Sequence, residues 1–316
     1  MTLTSMEYFV TLARERSFTR AAEPLHITQQ SLSSHIASLE KELGCQLLLR
    51  RVPLELTYAG KVFLRYAIEF QQNLNAMQKE FCDITDNQKG VLRIGIAFTR
   101  GRAIMPELID VFQQKYPNIS IELEEASNEE LHKNLLNGEI DLAIANFPDS
   151  LQGIELQDFY KEEVVMLVAK KLMDELCDEF AEWVIEDAKA GNLSGFDECP
   201  VVMGNSGDIA ARIGLATIRE ANLHPPIKAK SDNIETLLAL CLRGVGACFC
   251  PENLARATLS GEQMESLELI RLGERGKYQI RFGYLKQPYQ WSIISEFIET
   301  ACFVLTGKRH RDIMNL

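Results

Sequence analysis

The sequence predicts an α+β multidomain chain: a small three-helix module with a wing, one long helix, and a two-lobed α/β domain. Three observations predict it. Residues 1–60 set apolar side chains at helical spacing between turn signals. Residues 63–84 repeat apolar side chains at intervals of 4, 3, 4, 3, 4 and 3. From Val91 onward, short apolar strands alternate with amphipathic helices. At 316 residues there is length for two or three domains. The boundaries fall at 1–58, 59–90 and 91–306, with the lobes at 91–162 plus 266–306 and at 163–265, and a tail at 307–316.

The first helix opens at Thr4, with Glu7 three residues on as a capping box, and its apolar stripe is Leu3, Met6, Phe9, Val10 and Ala13. A second helix begins near Ser17 or Thr19 and ends near Leu25, shortened by Pro24, which costs a helical hydrogen bond. His26-Ile27-Thr28 turns the chain, and Thr28 caps a third helix. There Leu32, Ile36, Leu39 and Leu43 face inward, and Gly44 ends it. Apolar stretches 45–48 and 54–56 flank Arg50-Arg51-Val52-Pro53 as a wing.

The 3.6-residue turn fixes what the third helix shows outward. Gln30, Ser34, Ala37, Ser38 and Lys41 face out, with Ser31, Ser33 and His35 at the flanks and Gln29 leading. Gln pairs with adenine through two hydrogen bonds, and Ser serves a base edge or a phosphate. Free N–H groups at the helix start suit a phosphate. The face fits a DNA major groove; an ordinary solvated surface is the competing reading.

Thr57 caps the long helix. Phe63, Ala67, Phe70, Leu74, Met77, Phe81 and Ile84 form its seam, a period of 3.5 over three heptads. At 1.5 Å per residue, residues 59–86 make a rod of roughly 40 Å, broken at 87–90. The seam predicts a homodimer or homotetramer; packing against the chain's own lobes is the alternative.

Strands are expected at 91–98, 119–125, 140–147, 162–169, 200–203, 227–230, 245–250, 267–272 and 278–285, with helices running to Tyr116 and over 127–138, 171–190, 208–222 and 233–243, and a closing helix at 290–305. That alternation implies parallel sheets covered by helices. Ligands of such lobes gather at strand carboxyl ends and helix N-termini. Candidate residues there are Thr99, Arg100, Arg102, Ser127, Asn128, Asn146, Phe147, Asn205, Ser206 and Asn233. Two arginines beside helix starts suit an anionic ligand. Ser127, whose partner Glu130 completes a capping box, and Asn205 read equally as helix caps, and the arginines as surface charge.

Apolar residues make up 46% and charged residues 25%, the balance of a folded chain without an apolar run of membrane-spanning length. The N-terminus lacks the basic start and cleavage site of a signal peptide, so the expected location is cytoplasmic, with no membrane partner. The net charge is −12, yet residues 1–60 hold six basic and six acidic residues, 6 − 6 = 0. Such a module relies on placed contacts rather than a broad positive field. Eight scattered cysteines predict buried thiols rather than disulfides or zinc ligands. Gly204-Asn205-Ser206-Gly207 is no nucleophile elbow, Gly244-Val245-Gly246 lacks the third glycine of a dinucleotide site, and five histidines show no metal spacing. Neither an enzyme, a cofactor nor a metal is expected.

The stretch SFTRAAEPLHITQQSLSSHIASLEKELGCQLLLRR followed by LTYAG resembles the N-terminal signature of LysR-type transcriptional regulators. The resemblance rests on Ser17-Phe18-Thr19, Ala21-Ala22, Leu25, Thr28-Gln29, Ser31, Ser33, Ile36, Leu39-Glu40, Leu43-Gly44, Leu47, Arg50, Leu56-Thr57 and Gly60. It implies a winged helix-turn-helix, a linker helix and a two-lobed effector domain akin to periplasmic binding proteins. It assigns the base- and phosphate-facing positions to Gln29, Gln30, Ser31, Ser33, Ser34 and His35, to which the outward face adds Ser38, and places Arg50 and Arg51 on the wing, where a basic residue enters the minor groove or grips its backbone. Its partners would be a double-stranded DNA operator, a small-molecule effector in the inter-lobe cleft, a second copy of the chain and, for an activator, RNA polymerase. Gln30 stands where the family has Pro, Ser34 where many members have Arg, and Leu48 where Phe is usual. Cys199, in Glu198-Cys199-Pro200, does not match the reactive-cysteine context of peroxide-sensing members. A two-lobed solute-binding protein without a transcriptional role would need an export signal and no such module.

Overall fold

The computed structural model describes residues 1–307 apart from Arg50, Val52, 86–88, Ser206, Gly207 and Pro288; for Phe98, Thr99 and Thr306 only the backbone is described. The tail beyond 307 therefore lies outside the described residues. The chain forms two compact units, one built on Met1–Lys89 with the short segments Leu136–Glu139 and Gln287–Ile293, the other on the remainder.

In the first unit, α1 (Leu3–Glu15), α2 (Phe18–Ala22) and α3 (Gln29–Leu43) pack around Phe9, Leu12, Leu32 and Ile36. The cap of α1 is Thr2, whose hydroxyl accepts from Ser5 N, and not Thr4; the helix starts two residues earlier than its capping-box signal. Helix α2 ends at Ala22, so Pro24 falls in the turn after it. Leu43, expected inside, is exposed, being the final residue of α3. Strands β1 (Leu48–Leu49) and β2 (Glu55–Leu56) pair antiparallel as the wing. Helix α4 (Tyr58–Ile84) follows, capped by Thr57, which accepts from Gly60 N at 2.9 Å.

The second unit alternates strands and helices. The strands are β3 (Gly90–Ile96), β4 (Ile119–Glu125), β5 (Leu142–Ala145), β6 (Ile154–Ala169), β7 (Val201–Met203), β8 (Ile227–Lys230), β9 (Ala247–Pro251), β10 (Leu267–Arg271) and β11 (Lys277–Leu285). The helices are α5 (Phe98–Lys115), α6 (Asn128–Asn137), α7 (Lys170–Cys177), α8 (Ala181–Lys189), α9 (Ile209–Glu220), α10 (Ile234–Leu242), α11 (Glu252–Thr258), α12 (Gly261–Glu265) and α13 (Ser292–Thr306).

The sheets are mixed, not parallel throughout as expected. Strand order is β4-β3-β5-β11-β6-β9-β7-β8, with β10 also on β6. The β3–β4, β3–β5, β7–β8 and β7–β9 pairs are parallel, while β6 and β11 run antiparallel to their neighbours. The first half of β6 pairs with β11, the second half with β9 and β10. One strand thus belongs to both lobes. Its half 154–161 was not anticipated, nor were α11 and α12. The first lobe buries Ile94, Leu108, Phe112, Phe282 and Phe297; the second buries Val165, Leu167, Leu238 and Cys248.

Candidate functional site

Two sites emerge, one in each unit. Helix α3 builds the first. Thr28 accepts from Ser31 N at 3.1 Å, and Gly44 closes the helix in the left-handed region at φ 69°. Leu32, Ile36 and Leu39 are buried, so the opposite face is turned to solvent. Gln29, Gln30, Ser34, His35 and Ser38 are exposed there, and Ser31 and Ser33 are half-buried at its flanks. The His35 ring meets Tyr8 edge-on, with centroids 5.1 Å apart, which restrains its rotamers. Glu40 Oε1 accepts from the backbone N–H of Leu47 (2.7 Å) and Leu48 (3.2 Å), tying the wing to α3. Leu48, which stands where Phe is usual, is itself buried in the core. Arg51 is exposed on the wing. Arg50 lies outside the described residues.

The α4 seam divides in two. Phe63 and Ala67 are buried in the core of their own unit, and Leu74 is half-buried. Phe70, Met77, Phe81 and Ile84 are exposed, Ile84 to 70%.

The second site is a cleft of about 780 Å³ in the α/β unit. Four of the residues expected at a ligand line it: Ser127, Asn128, Asn146 and Phe147. Ser127 is also the cap of its helix, since its N–H and hydroxyl donate to Glu130 Oε2 and its hydroxyl accepts from Glu130 N. The Ser127 N–H, with the hydroxyl beside it, holds the Glu130 carboxyl below its ordinary range. Asn146 Nδ2 donates to Gln279 O at 2.9 Å.

Others expected there lie elsewhere. Arg100 is buried, its Nε and Nη2 donating to Glu162 Oε1 and Oε2 at 2.9 and 3.0 Å, so it forms a core ion pair and is not among the residues lining this cleft. Arg102 forms an exposed ion pair with Glu235. Asn233 caps α10, accepting from Thr236 N at 3.1 Å. Asn205 is exposed, and the cap of α9 is Asp208 instead. Ser206 and the Thr99 side chain are outside the described residues.

Sequence reasoning missed Glu129, His132, Asp149, Arg212, Gln279 and Arg281, all of which line the cleft. The signal for Arg212 was its place in the first turn of a helix that follows a loop already singled out. Arg281 had none, because a cation inside a strand looks like sheet surface. It sits 15% exposed, donating to Asp158 (2.7 Å), Phe147 O (2.7 Å) and Asp149 (2.8 Å). Arg212 makes no ion pair among the described residues. Asn128 Oδ1 and His132 Nε2, one turn apart on α6, are buried without a hydrogen-bond partner.

Cys199, Cys241, Cys248, Cys250 and Cys302 are buried thiols, but Cys45 is exposed and Cys82 and Cys177 are half-buried, unlike the uniform burial expected. Burial pushes the Cys199 thiol up to about 12, which keeps it protonated and unreactive. Among the described residues no three His, Cys, Asp or Glu side chains group to hold a metal, and no helix is long and apolar enough to cross a membrane.

Residues 3–61 match the family model of the bacterial regulatory helix-turn-helix protein, lysR family, and residues 85–301 match that of the LysR substrate binding domain. The chain is 34% identical over 177 residues to a probable RuBisCO transcriptional regulator of Trieres chinensis, a match covering 54% of this chain and 56% of that one. The match thus spans little more than half the length of that relative. It is 30% identical over 264 residues to the uncharacterized HTH-type transcriptional regulator YcgK of Bacillus subtilis, covering 81% and 82%. In fold it is similar to a full-length OxyR variant from Pseudomonas aeruginosa, with a TM-score of 0.69 at 21% identity over 95% and 94% of the chains. It is similar also to full-length CbnR in complex with its target DNA, at 0.58 and 23% over 95% and 99%.

Proposed function

The chain belongs to the LysR family of bacterial transcriptional regulators, and from that premise we propose that it binds one DNA operator as a homo-oligomer and changes that binding when a small molecule fills the inter-lobe cleft. The observation that carries this is α3. Its leucine-rich side is buried, and its opposite face offers Gln29, Gln30, Ser34, His35 and Ser38 to solvent. Amide and hydroxyl side chains on a capped, exposed helix match the donor and acceptor pattern of a major groove. Ser31 and Ser33 at the flanks serve phosphates, and Arg50 and Arg51 grip the adjacent backbone from the wing. The solved DNA complex of CbnR, which shares the fold, supports the same mode.

Dimerisation runs along Phe70, Leu74, Met77, Phe81 and Ile84, continuing the seam that Phe63 and Ala67 begin. Pairing sets two recognition helices on half-sites about one helical turn apart. The effector acts through its differential affinity for two lobe arrangements. The chain works by binding rather than catalysis, in the cytoplasm, away from any membrane, and meets RNA polymerase where it activates. The test is a gel-shift and footprint on the DNA upstream of its own coding sequence. A specific shift whose footprint changes with an effector supports the reading. Absence of any specific shift from the folded protein overturns it.

A further inference from the structure

The charges of the cleft restrict what it can hold. Arg281 is spoken for, with Asp158, Asp149 and the Phe147 carbonyl around its guanidinium. Ser127 is spoken for by Glu130, and Gln279 Nε2 by the carbonyls of Tyr160 and Ile280. What remains is one cation without an ion pair among the described residues, Arg212, and two buried polar atoms without a partner, Asn128 Oδ1 and His132 Nε2. Glu129 and Asp149 also line the cleft, and their carboxylates oppose a second negative group on the ligand. Phe147, Pro148 and Leu151 supply an apolar wall.

We propose that the cleft takes a monocarboxylic acid bearing a neighbouring hydroxyl or amino group, with an apolar remainder; this rests on the reading of the cleft as the effector site. The carboxylate meets the Arg212 guanidinium, a charge-assisted pairing. The hydroxyl or amino group donates to Asn128 Oδ1, repaying the desolvation that an unpartnered buried acceptor costs. His132 Nε2 takes the remaining polar atom of the same end. The volume, 780 Å³, lies within the range of sites that hold drug-sized molecules, so the remainder can be as large as a ring against Phe147 and Leu151. Arg212 stands on α9 of the second lobe, and Asn128 and His132 on α6 of the first. A ligand spanning them joins the lobes.

Isothermal titration calorimetry on the full-length protein tests this with five probes sharing a phenyl group: phenyllactate, phenylalanine, 3-phenylpropionate, phenylsuccinate and phenyl phosphate. Phenyllactate or phenylalanine is expected to bind at least about tenfold tighter than 3-phenylpropionate, with the two dianions no tighter than the latter. Arg212→Gln should weaken the best binder by about tenfold or more, and Asn128→Ala should erase its advantage over 3-phenylpropionate. A dianion that binds tightest, and loses its binding in Arg212→Gln, overturns the ligand class while leaving the cleft as the effector site. Binding that neither substitution alters overturns both. Silence from all five probes overturns the class, and the footprint experiment then judges the cleft separately.

Discussion

Arg100 shows how a single residue can carry two plausible roles in sequence and only one in space. Beside a helix start it suited a ligand anion. In the fold it lies 6% exposed, donating to Glu162, which also accepts from Tyr160 (2.6 Å), Asn253 (3.3 Å) and Tyr278. Nothing in the sequence pairs residue 100 with residue 162, because that contact exists only once β6 has crossed the domain. Burial alone would raise the Glu162 carboxyl, yet the Arg100 charge and these hydrogen bonds hold it down at about 2. Removing one partner strands a buried charge, so Arg100→Met should cost ~3–5 kcal/mol, while the double variant with Glu162→Leu should cost less than the sum. Calorimetric unfolding of the three variants decides it. Because the folded carboxyl lies below its unfolded value, its contribution is complete above the ordinary glutamate value of 4.5 and is lost as pH falls from there toward 2. Thermal unfolding between pH 6 and 3 should therefore be steeper for the native chain than for Glu162→Gln. If the outward face of α3 reads DNA as proposed, Gln29→Ala and Ser33→Ala should each lower operator affinity about tenfold, with unchanged unfolding temperature. Unchanged affinity in both would sink the groove-facing role of α3.

Elements were legible where local chemistry sets their ends. Thr28, Thr57, Ser127 and Gly44 cap or stop the helices at the places their side chains announce. The first half of β6 stayed hidden for a physical reason. Its partner register shifts between Ile280 and Arg281, leaving Phe159 unopposed, and that bulge destroys the two-residue alternation by which a strand is recognised. Helices α11 and α12 were missed because seven and five residues are too few to show a period. The start of α4 depends on Gly60. A Cβ there would sit 2.0 Å from the Leu47 carbonyl oxygen, a backbone atom that cannot yield without moving β1. Gly60→Val should therefore lower the unfolding temperature of the first unit by several degrees, for a cost of roughly 2 kcal/mol or more. Circular dichroism with an intact α3 surface but the native melting point would contradict that packing account.

At the scale of the whole molecule, the proposed pairing of two chains can be tested on the exposed part of the α4 seam. Phe70, Met77, Phe81 and Ile84 present a stripe to water that a second copy of the helix would cover. Phe70→Asp combined with Phe81→Asp should give a monomer by light scattering and lower operator affinity by ~100-fold or more, since two linked half-sites become one. A dimer that survives the pair of substitutions would assign the stripe another role. The two-domain plan was readable because its periods differ, 3.5 along the rod and strand-helix alternation beyond it. The mixed sheet was not, because strand direction is set by the crossing of β6 and β11 rather than by composition. Gly60 fits directly against the Leu47 carbonyl that leads into the wing. The rod is seated against the reading module at its very first turn, with Thr57 fastened to both Gln46 O and Gly60 N. Such a joint has no slack. A rotation of about 10° applied at the far end of a lever roughly 40 Å long sweeps the near end through about 7 Å, the span of two stacked base pairs.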